Sequence, residues 1–157
     1  MMHGLTLTLY EGADRRTQAA AMMVMTRAFD PAFGEAWTAS QLAGVAAMPG
    51  TWLTVAQLDA ATLGFALVRS IFDEAELLLL GVDPAWKRHG VGAALLEHCI
   101  DTARVRGIKS MFLEVRSSNT AIALYRKTGF EHVNTRRDYY RGADNQLYDA
   151  YSFRLEI

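Results

Sequence analysis

Cysteine occurs once, at Cys99, and proline three times in a chain of 157 residues. A lone thiol permits no internal disulfide and no cysteine-rich zinc cluster, which fits a reducing compartment. Net charge is nearly absent too: 16 basic against 17 acidic side chains leave −1 at neutral pH. No broad positive field therefore exists to hold nucleic acid or an anionic membrane, and any polyanionic ligand has to be gripped locally. Long apolar runs are missing as well. Ala19–Met25 falls far short of the ~20 residues of a membrane span. Glu11 and Asp14 precede it where a signal peptide is basic, so cytoplasmic residence is the default expectation. The four histidines are scattered, and His89 and His98 have neither the spacing nor the carboxylate neighbours of a metal site.

What is present is enough apolar material, 51% of residues, to offset the entropy of folding one compact domain spanning residues 1–157. The periodicity alternates between 2 and 3.6, so the chain reads as mixed α/β. Leu5–Tyr10 alternates strictly and predicts a strand. Asp14 then caps a helix running to Phe29, stopped by Pro31 and Gly34. Thr38 and Gln41 have capping-box spacing and open a second helix through Met48, before a turn at Pro49-Gly50. Three strands follow, Thr51–Gln57, Thr62–Ile71 and Ala75–Val82, expected as an antiparallel meander. Leu77 to Val82 is apolar at every position, the mark of a central strand covered by helices on both faces.

From Val91 to Arg106 one helical stripe holds Val91, Leu95, Leu96, Cys99, Ile100 and Ala103, while Glu97, Asp101 and Arg104 face away. Cys99 is thus a core residue rather than a nucleophile. Met111–Arg116 is a strand again, so this part predicts a β-α-β crossover with parallel strands. A short helix over Thr120–Thr128 ends at Gly129. Glu131–Tyr140 and Leu147–Glu156 form a closing hairpin, with Tyr151, Phe153, Leu155 and Ile157 on one face.

The chemistry concentrates between the central strand and the amphipathic helix, in Asp83-Pro-Ala-Trp-Lys-Arg-His-Gly-Val-Gly-Ala93. Free amides at a helix N-terminus carry partial positive charge, and Gly90 and Gly92 have no side chains to keep an anion from the backbone. Lys87, Arg88 and His89 add donors. The plain alternative is a tightly packed βα turn beside a solvated basic pair. The loop lacks the Gly-Lys-Ser/Thr of a Walker loop and the three glycines of a dinucleotide fingerprint.

Taken together, Lys87-Arg88-His89-Gly90-Val91-Gly92, Asn119 and Tyr125 through Gly129-Phe130 resemble the GNAT acetyltransferases. Within them, Leu113-Glu114-Val115-Arg116-Ser117-Ser118-Asn119, Ala121 to Tyr125 and the Arg136-Arg137-Asp138-Tyr139-Tyr140 hairpin are similar to the ribosomal-protein alanine N-acetyltransferases, the RimI family. The resemblance implies a GNAT fold: a mixed, mostly antiparallel sheet of about seven strands flanked by four helices. It also implies acetyl-CoA as co-substrate, lying along Leu80, Gly81 and Val82 with its pyrophosphate on Lys87 to Ala93 and with Asn119 nearby. Two departures stand out. Lys87 replaces the usual Gln or Arg, keeping a charge without planar bidentate bonding, and the segment after Asn119 is one residue shorter.

Under this resemblance Tyr125 is the expected acid for the leaving thiolate and Glu114 the expected base. A positive environment would help the phenol. The alternative for Tyr125 is packing, and for Glu114 a plain ion pair with Arg116. Helix cover on both faces of the sheet would leave Glu114 partly desolvated. Trp37, Tyr139 and Tyr140, with Tyr148, are expected to flank the acceptor, a protein N-terminus or peptide and foremost the N-terminal alanine of a small-subunit ribosomal protein. A small amine acceptor, or an acetyl-CoA sensor without transfer, are the rival readings; a deep acidic cavity would favour the first rival.

Overall fold

The computed structural model of the chain describes residues 4–11 and 14–157. Strand β1 (Leu5–Glu11) leads into α1 (Arg15–Ala28), where the Asp14 carboxylate caps by accepting from Thr17 N–H and Thr17 Oγ1, each at 2.9 Å. The connection that follows includes a 3-10 turn at Pro31–Phe33 and reaches α2 (Ala39–Ala46). There Thr38 and Gln41 form the expected capping box, each side chain accepting from the other's backbone N–H.

The meander follows as β2 (Thr51–Leu58), β3 (Ala61–Ile71) and β4 (Glu74–Val82). A second 3-10 turn, Pro84–Trp86, precedes α3 (Val91–Val105). The chain ends with β5 (Ser110–Arg116), α4 (Ile122–Thr128), β6 (Glu131–Arg141) and β7 (Leu147–Glu156). One sheet has the order β1-β2-β3-β4-β5-β7-β6, antiparallel except between β4 and β5. Among the described residues, seven strands and four α-helices agree with the expected fold. Helix α4 begins two residues later than its periodicity suggests, because Asn119 Oδ1 takes the Ala121 N–H at 2.8 Å and forms a turn first.

Helices cover both faces. Under α3, Leu95, Leu96 and Cys99 pack with Trp52, Ala66, Leu77, Met111 and Phe153, all buried. On the other face Ala21, Val24, Met25 and Leu42 pack with Leu53, Val55, Phe65, Leu67 and Leu79. Burial raises the Cys99 thiol to about 12, leaving it protonated and unreactive. No helix among the described residues is long and apolar enough to cross a membrane.

Candidate active site

The site follows from a strand pairing that stops early. β4 and β5 pair only where Glu74, Ala75 and Glu76 face Ser110, Met111 and Phe112. Beyond Glu76, β4 keeps β3 on one side and presents an unpaired backbone edge on the other. A bulge at Leu78, opposite the Leu67–Val68 step of β3, sends Leu77 to the α3 face and Leu79 to the α1 face. The splayed strands enclose a cavity of about 250 Å³, walled by residues 77–80 of β4 and 113–115 of β5. The connection between α1 and α2 closes it with Phe33, Gly34, Glu35 and Trp37.

Glu114, Tyr125, Asn119, Tyr140, Trp37 and Leu80, six of the residues singled out from the sequence, line this one cavity. Tyr125 reaches it from α4 while only 6% exposed, its ring edge-on to Phe130 and tilted against Phe153. Burial, followed by Cys99 and Glu35, pushes its phenol well above the ordinary tyrosine range. The surroundings do not supply the positive environment that would help the phenol ionise. The hydroxyl is held as a neutral donor.

Glu114 is half-buried, and its partner is not Arg116. Oε2 of Glu114 lies 3.5 Å from Arg136 Nε. Arg116, buried at the end of β5, instead donates through Nε and Nη2 to Glu35 Oε1 at 3.3 and 3.1 Å. It also donates to Ser118 Oγ, and its guanidinium lies 3.5 Å from the centre of the Phe33 ring. The cavity thus holds two carboxylates, each matched by one arginine, and is not the deep acidic site that would favour a small polyamine.

Tyr140 faces the cavity, its phenol pushed up to about 12 by burial first and then by Glu114 and Glu35. Tyr139, expected with Tyr140 to flank the acceptor, does not line the cavity and is 52% exposed. Tyr148 stands opposite Tyr140 and meets Phe33 edge-on at 5.4 Å. The sequence reading used Pro31 and Gly34 only as helix stops and missed Phe29, Phe33 and Glu35 as cavity residues. The signal was aromatic and acidic side chains inside a segment too irregular to be a helix.

At the far end of the unpaired β4 edge, past Gly81 and Val82, the loop opens. Lys87, Arg88, His89 and Gly90 are exposed, while the Val91 side chain is buried in the core. Gly90 caps α3 with φ of +81°, a value that favours glycine. The first bond of this helix runs from Ala94 N–H to Gly90 C=O at 3.0 Å, which leaves the amides of Val91, Gly92 and Ala93 ahead of it. A Cβ at Gly92 would meet Leu124 and Val82 only at 3.4 and 3.6 Å, ordinary contact. The chain's own packing does not require a bare backbone there, whereas a pyrophosphate approaching the amides would, so these residues fit the group the loop was read to hold.

Comparison with known proteins decides the class. The acetyltransferase (GNAT) family pattern matches residues 20–130, from α1 through the split strands, the loop and α4. The chain belongs to the GNAT acetyltransferase family. GNAT acetyltransferases use acetyl-CoA as co-substrate. This GNAT chain is 47% identical over 94 residues to the ribosomal protein bS18-alanine N-acetyltransferase of Escherichia coli K12, covering 59% of this chain and 63% of that one. It is 45% identical over 86 residues to the N-alpha-acetyltransferase RimI of Mycobacterium tuberculosis, covering 53% and 49%. The aligned segment therefore spans less than two thirds of these curated relatives. The crystal structure of the ribosomal-protein-S18-alanine N-acetyltransferase from Escherichia coli superposes with a TM-score of 0.85 at 34% identity, covering 97% of this GNAT chain and 94% of that one.

Proposed function

We propose that the whole chain is one acetyl-CoA-dependent N-acetyltransferase domain acting on a protein N-terminal α-amine, foremost the N-terminal alanine of ribosomal protein S18. One observation carries this reading: Glu114, Tyr125 and Tyr140 line a single cavity at the split between β4 and β5, while the unpaired β4 edge leads from it to the free amides of α3. The names of the relatives supply the acceptor. Cytoplasmic residence belongs to the same reading, since an S18 acceptor is a ribosomal protein.

Acetyl-CoA supplies an activated acyl thioester. The amides of Val91, Gly92 and Ala93, with Lys87 and Arg88, bind its diphosphate, and the β4 edge over Leu80, Gly81 and Val82 aligns the arm. Backbone N–H groups of that edge stabilise the developing oxyanion. Glu114 accepts the proton of the attacking amine, directly or through water. An α-amine of pKa ≈ 7.7–8.0 is already neutral to roughly a fifth or more near pH 7.4, against about a thousandth for a lysine near 10.4, so a carboxylate is base enough. The Tyr125 phenol donates to the departing sulfur. Because burial makes it a weaker acid than a free tyrosine, it acts best by hydrogen bonding as charge develops on the sulfur.

The test is mass spectrometry of peptides with varied first residues, incubated with acetyl-CoA and the protein. The reading expects +42 Da on the α-amine, fastest for N-terminal alanine in the S18 sequence. Acetylation confined to polyamines or lysine side chains would overturn the acceptor. Binding without transfer to any amine would leave a sensor.

A further inference from the structure

We propose that Arg136, braced by the Tyr139 ring, is a positioning residue that aims the Glu114 carboxylate; the inference rests on the reading of Glu114 as the base. The register brings these residues together. Glu114 of β5 faces Ser152 of β7, which faces Asn134 of β6, and the adjoining row is Arg116, Ala150, Arg136. Opposed residues, and residues two apart, share a face of a sheet. Glu114 and Arg136 therefore stand on the same face with the whole of β7 between them. Along that path β7 offers only Ser152 and Ala150, the latter fully buried. These small side chains leave an open lane, and the guanidinium crosses it to bring Nε within 3.5 Å of Glu114 Oε2.

The other end of the guanidinium is braced too. Its carbon lies 5.0 Å from the centre of the Tyr139 ring, which meets Tyr140 edge-on at 5.2 Å. Tyr139 is half exposed and outside the cavity, so packing in the core does not account for an aromatic ring there. Strand β6 makes a local irregularity to present it. Residues 137–139 stand opposite Asp149 alone, Asp138 adopts φ of +52°, and its N–H donates to Asp149 Oδ1 at 2.9 Å. A left-handed aspartate held by another aspartate is a conformation that the ladder itself does not need.

The ion pair adds little to stability, because the Arg136 side chain is 53% exposed. Its consequence is directional. The ion pair at Oε2 draws the carboxylate toward Arg136 and leaves Oε1 with no partner among the described residues, free to take a proton.

Kinetics of a variant set test this. Arg136→Gln should lower kcat about 10-fold, part of the ~10²–10⁴ that a well-placed base contributes, with KM for acetyl-CoA and the melting temperature unchanged. Arg136→Lys, which keeps a charge within reach, should restore most of the turnover. Tyr139→Leu should slow the wild type several-fold yet leave Arg136→Gln unaltered. In an impaired Glu114→Gln background Arg136→Gln should have no further effect. An Arg136→Gln enzyme within twofold of wild type, or an equal loss in both Glu114 backgrounds, would overturn the positioning role. Full turnover by Glu114→Gln would remove the base reading and this inference with it. An impaired Glu114→Gln beside an unaffected Arg136→Gln would remove this inference alone.

Discussion

Arg116 and Glu35, 81 residues apart in the chain, meet through two hydrogen bonds from one guanidinium to one carboxylate oxygen. Their side chains are 9% and 19% exposed. The pair ties the connection between α1 and α2 to the end of β5, and so fixes the closing wall of the cavity against its candidate base. The tip of the β6–β7 hairpin adds a second tie, Ala143 N–H to Ala32 C=O at 2.7 Å.

Breaking that pair should cost more than its net worth, because the remaining charge stays buried without a counter-ion. Arg116→Met is expected to destabilise the fold by about 3 kcal/mol, or roughly 6–12 °C in Tm for a domain of this size. Adding Glu35→Met should recover at least half of the loss, since two apolar side chains leave no stranded charge. Urea melts of both single variants and the double variant measure this. A double variant weaker than the sum of the singles would contradict the account.

Tyr125→Phe removes the hydroxyl and keeps the ring against Phe130 and Phe153. Turnover should drop by roughly 10²–10⁴-fold, the range for a lost acid, while acetyl-CoA affinity and Tm stay near wild type. Steady-state rates with an S18 N-terminal peptide decide it. Unchanged turnover would make Tyr125 a packing residue only.

Much of this arrangement was legible in the sequence. Asp14 and the Thr38–Gln41 box marked two helix starts, the run from Leu77 to Val82 marked a doubly covered strand, and the glycine loop stood out because two bare glycines and three basic side chains gather at a helix N-terminus. What stayed hidden depends on pairing between distant segments. Four consecutive leucines carry no sign of which one bulges, yet the bulge at Leu78 directs their side chains to opposite faces. Glu114 and Arg116 share a face of β5, so local spacing favoured pairing them, whereas Glu35 and Arg136 arrive from other elements and take one each. Tyr139 and Tyr140 are equivalent as letters; the irregularity around Asp138, at a residue that is not glycine, decides which of them faces the cavity.

Gly92→Arg separates the loop's ligand role from its packing role. A Cβ at this position meets only ordinary contacts, so the fold should persist with Tm within a few degrees of wild type. The longer side chain would occupy the place of the phosphates, and acetyl-CoA affinity should fall at least about 100-fold by isothermal titration. Retained affinity would mean that the diphosphate lies elsewhere.

Tyr140 offers a pH signature. Its phenol is raised from 10.0 to about 12, with burial as the largest cause and Glu114 next, so the folded state favours the neutral form. For an acid held neutral by folding, the stability contribution is complete below the unfolded pKa near 10 and is lost as pH climbs through about 12. Tyr140→Phe cannot ionise at all. Its urea midpoint should therefore decline less than that of wild type between pH 10 and 12, and the 295 nm absorbance titration should lack one late step. The same neutrality keeps the hydroxyl available as a hydrogen-bond donor across the whole range in which an α-amine loses its proton. An equal decline in both proteins would show that Tyr140 titrates as a free phenol, exposed to water rather than facing the carboxylates.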